Sequence, residues 1–258
     1  MNSWIAISPT EHANCHWQQR INYLFAANMT VAPVLVAELS KVAPLYSLAF
    51  VKADQGYQLV VILGLGADRN FYVNNKGQWL CDYIPAAIRG YPFVLAKTSN
   101  DDDRILCIDE QMLSTNAGNL RLFDDAGNLT GVAAETFGFL KECDVSRRTT
   151  EAACDSLEKA GLIEPWPLQI NSVEGGETSA VDGLYRINEA ALNALDADAF
   201  AALRIHGALL IAYAQLFSVN QLGQLRELAL FLSKEAEIHS SAGLSADDSV
   251  LNFDLLDN

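Results

Sequence analysis

The sequence predicts an α+β protein, with an antiparallel sheet-rich N-terminal half and a mainly helical C-terminal half. Residues 46–109 are rich in β-branched and aromatic residues between turn signals, whereas residues 131–240 show helical periodicity. The Asp-, Asn- and Gly-containing stretch 119–133 joins the two halves. We therefore divide the chain into parts 1–130, 131–240 and an acidic tail, 241–258, although the first two can also share one compact domain.

The strand-like half begins with two apolar segments, 46–53 (YSLAFVKA) and 57–64 (YQLVVILG), joined by a short loop that ends at Gly56. This arrangement predicts an antiparallel hairpin. Three further segments, 70–73 (NFYV), 91–97 (YPFVLAK) and 104–109 (RILCID), extend the pattern. Together these segments predict one curled antiparallel sheet.

The second half changes to a helical period. Residues 135–161 predict either one bent helix or two helices ending at Gly161, the residue type preferred just beyond a helix C-terminus. A short β-hairpin is expected near residues 168–187. Asn188 or Asp196 can then provide an N-cap for the helical segments 199–217 and 221–237.

Composition excludes several classes of partner. Acidic residues outnumber basic ones 32 to 17, giving a formal net charge of −15, and this field repels nucleic acid and anionic membrane surfaces. The apolar run 207–217 is shorter than the roughly 20 residues that span a bilayer, so no membrane insertion is expected. Five cysteines without a C-x-x-C pair, and an N-terminus without a signal-peptide pattern, indicate free thiols in the cytoplasm.

No catalytic motif of a common enzyme class is present. The sequence lacks G-x-S-x-G, H-E-x-x-H and G-x-x-x-x-G-K-[ST], and no cofactor is expected. Asp109 and Glu110 follow an apolar strand and are weak candidates for a catalytic acid and base, although acidic strand ends are usually only solvated. His12 and His16, spaced by one helical turn, are weak candidates for metal ligands, but nothing nearby completes the set.

The densest cluster of unusual residues lies in the segment 77–96. It contains Trp79, Tyr83 and Tyr91 around Arg89. Such rings usually pack in a core. An arginine among them can instead stack on the rings and hold a carboxylate through its two-pronged guanidinium. We therefore take these four residues as the predicted ligand-binding set.

The state of Arg89 separates these two interpretations. Its guanidinium either pairs with a protein carboxylate, for which Glu38, Asp82 and Glu110 are the candidates, or faces an open pocket. Pairing with a protein carboxylate favours the core interpretation, and an open pocket favours ligand binding.

The chain resembles the SapC family of bacterial proteins named from surface-layer loci, which is distinct from the peptide-transporter permease of the same name. The resemblance runs from about residue 27 to residue 228, most of the chain. It rests on the ordered segments APVLVAE, NFYVNNKGQWLCDYIPAAIRGYPFVLA, LCIDE, LFDDAGNLT, GLIEPWPLQI, DGLYRINEAALNAL and GALLIAYAQLFSVNQLGQL.

The resemblance implies a cytoplasmic protein linked by name to the surface layer and by gene neighbourhood to outer-membrane uptake systems. It brings no established catalytic residues.

Three hypotheses about function follow. The first is an accessory protein that binds a partner protein or a small peptide-like ligand. The second is an enzyme, or a subunit of one, that modifies a peptide or an aromatic small molecule. The third is a purely structural protein, which can form a homodimer.

Overall fold

The computed structural model describes residues 3–65, 68–98, 104–116, 118–171 and 178–244. Most of its antiparallel strands lie in the N-terminal half and its helices mainly in the C-terminal half, so the predicted α+β class is confirmed. The strands are β1 (Trp4–Ala6), β2 (His16–Trp17), β3 (Val31–Pro33), β4 (Leu48–Lys52), β5 (Tyr57–Ile62), β6 (Phe93–Lys97), β7 (Arg104–Asp109), β8 (Leu113–Ser114), β9 (Leu120–Arg121), β10 (Ile163–Pro165), β11 (Leu168–Asn171), β12 (Thr178–Val181) and β13 (Leu184–Ile187). The α-helices are α1 (Leu39–Val42), α2 (Ala86–Arg89), α3 (Gly131–Lys159), α4 (Glu189–Asn193), α5 (Ala197–Ala202), α6 (Ala208–Ser218) and α7 (Leu222–Leu244).

The larger sheet has five antiparallel strands in the order β10-β13-β4-β5-β3. The predicted hairpin is confirmed as β4 and β5, which pair from Leu48 opposite Val61 to Lys52 opposite Tyr57. β13 comes from the mainly helical half and pairs with β4. The sheet therefore combines strands from both sides of the joint at residues 119–133.

The other long strand pair belongs to a separate sheet, ordered β1-β7-β6, so the prediction of one curled sheet is wrong. The prediction of a strand at residues 70–73 is also wrong. There the Asn70 side chain accepts from the Tyr72 N–H (2.9 Å) and donates to the Ala26 carbonyl (3.1 Å). The bond to the Tyr72 N–H is local and favours a turn over a strand ladder, and an isolated bridge joins Val73 to Trp79.

Helix α3 is the longest element and connects the two sheets. Its 29 residues span about 44 Å, and it runs without interruption, so the one-helix alternative holds. It ends before Gly161, whose φ of +69° is the left-handed conformation expected there.

Both candidate caps precede a helix, Asn188 before α4 and Asp196 before α5. The Asn188 side chain accepts from the Ala191 N–H and the Asp196 side chain from the Ala199 N–H. The helical segment expected over 199–217 is divided between α5 and α6, because the backbone at His206 (φ +57°) and the following glycine is left-handed. α7 continues to residue 244, and the rest of the predicted tail lies outside the described residues.

The apolar side chains form two clusters. The larger lies on the five-stranded sheet beneath α6 and the C-terminal half of α3, and includes Phe50, Leu59 and Leu157. The smaller joins β2, β6 and β7 to the N-terminal half of α3, and includes Trp17 and Phe93. Because α3 covers both clusters, its middle turns pass over the gap between them.

The hairpin expected near 168–187 forms between β11 and β12. None of the helices in the described ranges is long and apolar enough to cross a membrane.

Candidate functional site

A cavity of about 250 Å³ lies beneath the middle of α3. Its walls come from the end of β3, the start of β5, the start of β6, the first turn of α2, and the inward face of α3. Cys143, Thr150 and Cys154 line it from the helix. The lining is mainly apolar, and ligand sites are typically concave apolar spaces of this kind with a few placed polar groups.

One side of the cavity carries a fixed ionic cluster centred on Asp144. Its carboxylate contacts Arg147 at 2.6 Å, Arg104 at 3.1 Å and Arg148 at 3.6 Å, and Arg147 also bonds Glu151. Burial opposes ionisation of Asp144, but the hydrogen bonds from Arg147 and Arg104 outweigh it and hold its pKa below the ordinary value. The charged groups of this wall are therefore satisfied within the protein.

A buried carboxylate, Glu38, organises the segment next to the cavity. It is 5% exposed and accepts three hydrogen bonds, one from the Leu35 N–H at 3.0 Å, one from the Tyr83 hydroxyl at 2.8 Å and one from the Ala86 N–H at 2.9 Å. Ala86 itself lines the cavity. Glu38 therefore joins the first turn of α2 to the chain that follows β3.

Arg89 is not paired with any of the three carboxylates considered from the sequence. Its Nη2 donates to the Tyr83 hydroxyl at 3.1 Å, and its guanidinium lies 5.3 Å from the Tyr83 ring centroid and 4.7 Å from that of Phe139. Its Nε is buried and has no hydrogen-bond partner. Arg89 therefore reaches Glu38 only through Tyr83, and it lies beside the cavity rather than in its wall.

The charges of Glu38 and Arg89 affect the pKa values of two nearby groups, Tyr83 and Cys143. Desolvation, together with the hydrogen bond to Glu38 and its charge, raises the pKa of Tyr83 to about 12, although Arg89 opposes the shift. Desolvation and the Glu38 charge also raise the pKa of Cys143 to about 11, again against Arg89. Both groups stay protonated at neutral pH, so Cys143 presents a neutral thiol to the cavity.

The other two residues of the predicted set, Trp79 and Tyr91, lie in a row of aromatic rings. Trp79 donates to the Tyr46 hydroxyl at 2.9 Å, and that hydroxyl donates to the Tyr83 carbonyl. The Tyr91 ring stacks on Phe25 with centroids 3.8 Å apart. The four predicted residues thus belong to one connected region, but only Tyr83 and Arg89 contact each other directly.

Arg20 also shapes this region, and the sequence reasoning missed it. Its Nη1 donates to the carbonyl of Arg89 at 2.6 Å and to that of Tyr91 at 2.7 Å, and it lies over the Tyr23 ring at 5.5 Å. It therefore fixes the turn from α2 to β6. The one available signal was an arginine close to Tyr23 in the sequence, and this does not reveal a partner 69 residues away.

The two acid–base candidates have different surroundings. Asp109 is 1% exposed and accepts from the Tyr91 hydroxyl at 2.9 Å and from the Gln111 N–H at 3.1 Å. Glu110 is exposed. Burial and the bond to Asp109 raise the pKa of Tyr91 to about 12. Asp109 therefore joins a predicted ligand-binding tyrosine to the turn after β7.

The metal-ligand candidates lie near the N-terminus. His12 Nδ1 accepts from the Ser8 N–H at 3.3 Å, whereas His16 belongs to β2. Within the described ranges, no group of three or more His, Cys, Asp or Glu residues could hold a metal ion.

These features define an α+β protein with a largely apolar cavity between the sheets that contain β5 and β6. The chain belongs to the SapC family, which it matches over residues 7–225 of its 258 residues. No curated protein and no solved structure gives a significant match to it.

Proposed function

We propose that this chain is an accessory protein that binds an elongated, largely apolar or peptide-like ligand in the cavity beneath α3. One observation carries the proposal: the gap between the two apolar clusters is an apolar-lined space of about 250 Å³. Protein interiors are normally filled to crystal-like density, and an apolar gap of this size is suited to a ligand.

Tyr83 and Arg89 lie just outside the cavity wall and supply a polar, positively charged group next to the proposed site. They are held beside Ala86 and Cys143, two residues of the cavity wall, through Glu38 and through the ring of Phe139. The unpartnered Nε of Arg89 supports this role, because a buried cationic donor without an acceptor favours an anionic or carbonyl group nearby. Trp79 and Tyr91 support the site indirectly, through the aromatic row.

We place this activity in the cytoplasm, next to surface-layer or outer-membrane uptake systems. The five cysteines are free thiols, two of them buried, which supports a reducing compartment. SapC membership supports the link to the surface layer through the family name.

Binding of 1-anilinonaphthalene-8-sulfonate, a fluorescent apolar anion, tests the cavity. We expect one molecule to bind per chain. Cys143→Trp, which fills the cavity from α3, lowers its affinity at least tenfold, and Cys143→Phe lowers it less. Val145→Trp is the matched control, because Val145 is 70% exposed on the same helix.

If circular dichroism shows that Cys143→Trp is folded and it binds the dye as tightly as the wild type does, the cavity is not the binding site.

Arg89→Ala tests the polar group next to the cavity separately. We expect it to weaken binding of the sulfonate severalfold, and more strongly at low ionic strength, because an opposite charge is removed. An unchanged affinity would exclude Arg89 from the site and leave the cavity in place.

A further inference from the structure

Strand edges line the cavity. It touches three consecutive residues of β6 (93–95) and three consecutive residues at the start of β5 (57–59). Successive side chains of a strand point to opposite faces of its sheet. Three consecutive residues therefore line one space only where the strand presents its edge, so the main chains of both sheets border the cavity.

The hydrogen-bond alternation shows which groups of β6 are open. The Asp109 N–H donates to the Pro92 carbonyl at 3.0 Å, and Val94 lies opposite Cys107 in the register with β7. In an antiparallel pair every second residue bonds the neighbouring strand. The N–H and C=O of Leu95 therefore point away from β7, and within the described residues they have no strand partner.

β5 has an equivalent open position. The Val34 N–H donates to the Leu59 carbonyl at 3.1 Å. Because the bonding direction alternates along a strand, the N–H and C=O groups of the odd-numbered β5 residues point toward β3. β3 ends at Pro33, and the Val36 N–H turns to the Thr150 hydroxyl at 2.9 Å. The N–H and C=O of Tyr57 therefore also face the cavity beyond the end of β3.

Open main-chain groups along a strand edge are ready partners for another extended chain, because an edge strand presents a row of unpaired N–H and C=O groups. An extended peptide supplies the matching groups at the strand spacing of roughly 3.3 Å per residue, and its alternate side chains enter the apolar space. A compact apolar molecule fills the space but leaves these groups unpaired.

We propose that the ligand of this cavity is an extended polypeptide segment that adds as a strand to the open edge of β6 and places some of its side chains in the cavity. This inference rests on the proposed function, since it names the class of ligand for the same cavity. Main-chain hydrogen bonds to Leu95 hold the segment, and the apolar wall selects its side chains.

The test uses fluorescein-labelled acetyl-Thr-Val-Thr-Val-Thr-Val-Thr-amide and two derivatives, one N-methylated at residues 2, 4 and 6 and the other at residues 3 and 5. Alternate N–H groups of a strand lie on opposite edges, so each derivative blocks one edge. By fluorescence anisotropy, we expect the parent peptide to bind and at least one derivative to bind more than tenfold more weakly. Hydrogen exchange of the Leu95 amide slows at least tenfold when the parent peptide is bound.

Failure of the parent peptide to bind at millimolar concentration would overturn the inference. So would equal binding of all three peptides, or unchanged exchange at Leu95. The proposed function is judged independently. If the anionic dye binds and Cys143→Trp blocks it while the peptide results are negative, the cavity binds a non-peptide ligand and only strand addition is refuted.

Discussion

Replacement of Glu38 by glutamine tests the arrangement of the region beside the cavity. The carboxylate accepts from two backbone N–H groups, those of Leu35 and Ala86, and from the Tyr83 hydroxyl. Glutamine keeps the shape of the side chain but has one acceptor oxygen instead of two. When the amide oxygen takes the place of Oε2, it still accepts from the Tyr83 hydroxyl and the Ala86 N–H. The amide NH₂ then takes the place of Oε1 and faces the Leu35 N–H, which is also a donor.

The expected loss of unfolding free energy in Glu38→Gln follows from these contacts. Leaving the Leu35 N–H unpaired against another donor costs about 1–3 kcal/mol. The two remaining hydrogen bonds lose their charge assistance, which is worth about 1 kcal/mol each. Relief of the desolvation penalty of the buried charge offsets part of this loss. We therefore expect Glu38→Gln to lower the free energy of unfolding by about 2–4 kcal/mol, and Tm by about 5–15 °C.

Urea denaturation followed by circular dichroism measures this effect, with the slope of free energy against denaturant compared between variants. Glu110→Gln is the matched control, because Glu110 is an exposed glutamate near the same strands and should change stability by less than about 0.5 kcal/mol. If Glu38→Gln is as stable as this control, Glu38 does not organise the region and the reasoning is refuted.

Three further predictions concern other contacts. Arg20→Ala removes the donor to both carbonyls of the α2–β6 turn and should cost about 2 kcal/mol in urea denaturation; full stability would show that the turn holds without it. Asp196→Ala removes the cap bond to the Ala199 N–H and should cost about 1 kcal/mol, whereas Asp198→Ala, on the same first turn, should cost less than half as much. The pKa of Cys143, about 11 against an ordinary 9.0, makes its thiolate about 100-fold rarer at pH 8 than in the unfolded chain. Iodoacetamide labelling followed by mass spectrometry should be correspondingly slower in the native protein than in urea, and equal rates would contradict the assignment.

The same pKa shift has a consequence for stability. The pKa of Cys143 is higher in the folded chain than in the unfolded chain, so folding takes up protons between pH 9 and about 11. Its contribution to stability is complete below pH 9 and is lost as the pH rises toward 11. Cys143→Ser should flatten this part of the curve of unfolding free energy against pH.

Elements specified by local signals were predictable from the sequence. The β4–β5 hairpin, the caps at Asn188 and Asp196 and the end of α3 before Gly161 all depend on residues within a few positions of each other. The prediction of a strand at residues 70–73 was wrong because of side-chain hydrogen bonding. Asn70 satisfies the backbone through its own side chain, an alternative that apolar periodicity does not reveal.

The candidate site was only partly predictable. The sequence placed Tyr83 and Arg89 in one set with Trp79 and Tyr91, and in the structure Tyr83 and Arg89 contact each other directly. It offered Glu38 as a direct partner of Arg89, whereas the Tyr83 hydroxyl lies between them. Arg20 was missed, because both of its acceptors are main-chain carbonyls, which have no residue type to recognise.

The sequence by itself determined the α+β class, the family and the local elements, since apolar period, caps and turn residues act over short distances along the chain. The tertiary structure alone decided that the long strands β4–β5 and β6–β7 belong to separate sheets and that α3 packs across both of them. It also brought Glu38 to Tyr83, 45 residues away. Sheet edges and buried carboxylates find their partners through main-chain hydrogen bonds and three-dimensional packing, and neither has a signature at a fixed spacing in the sequence.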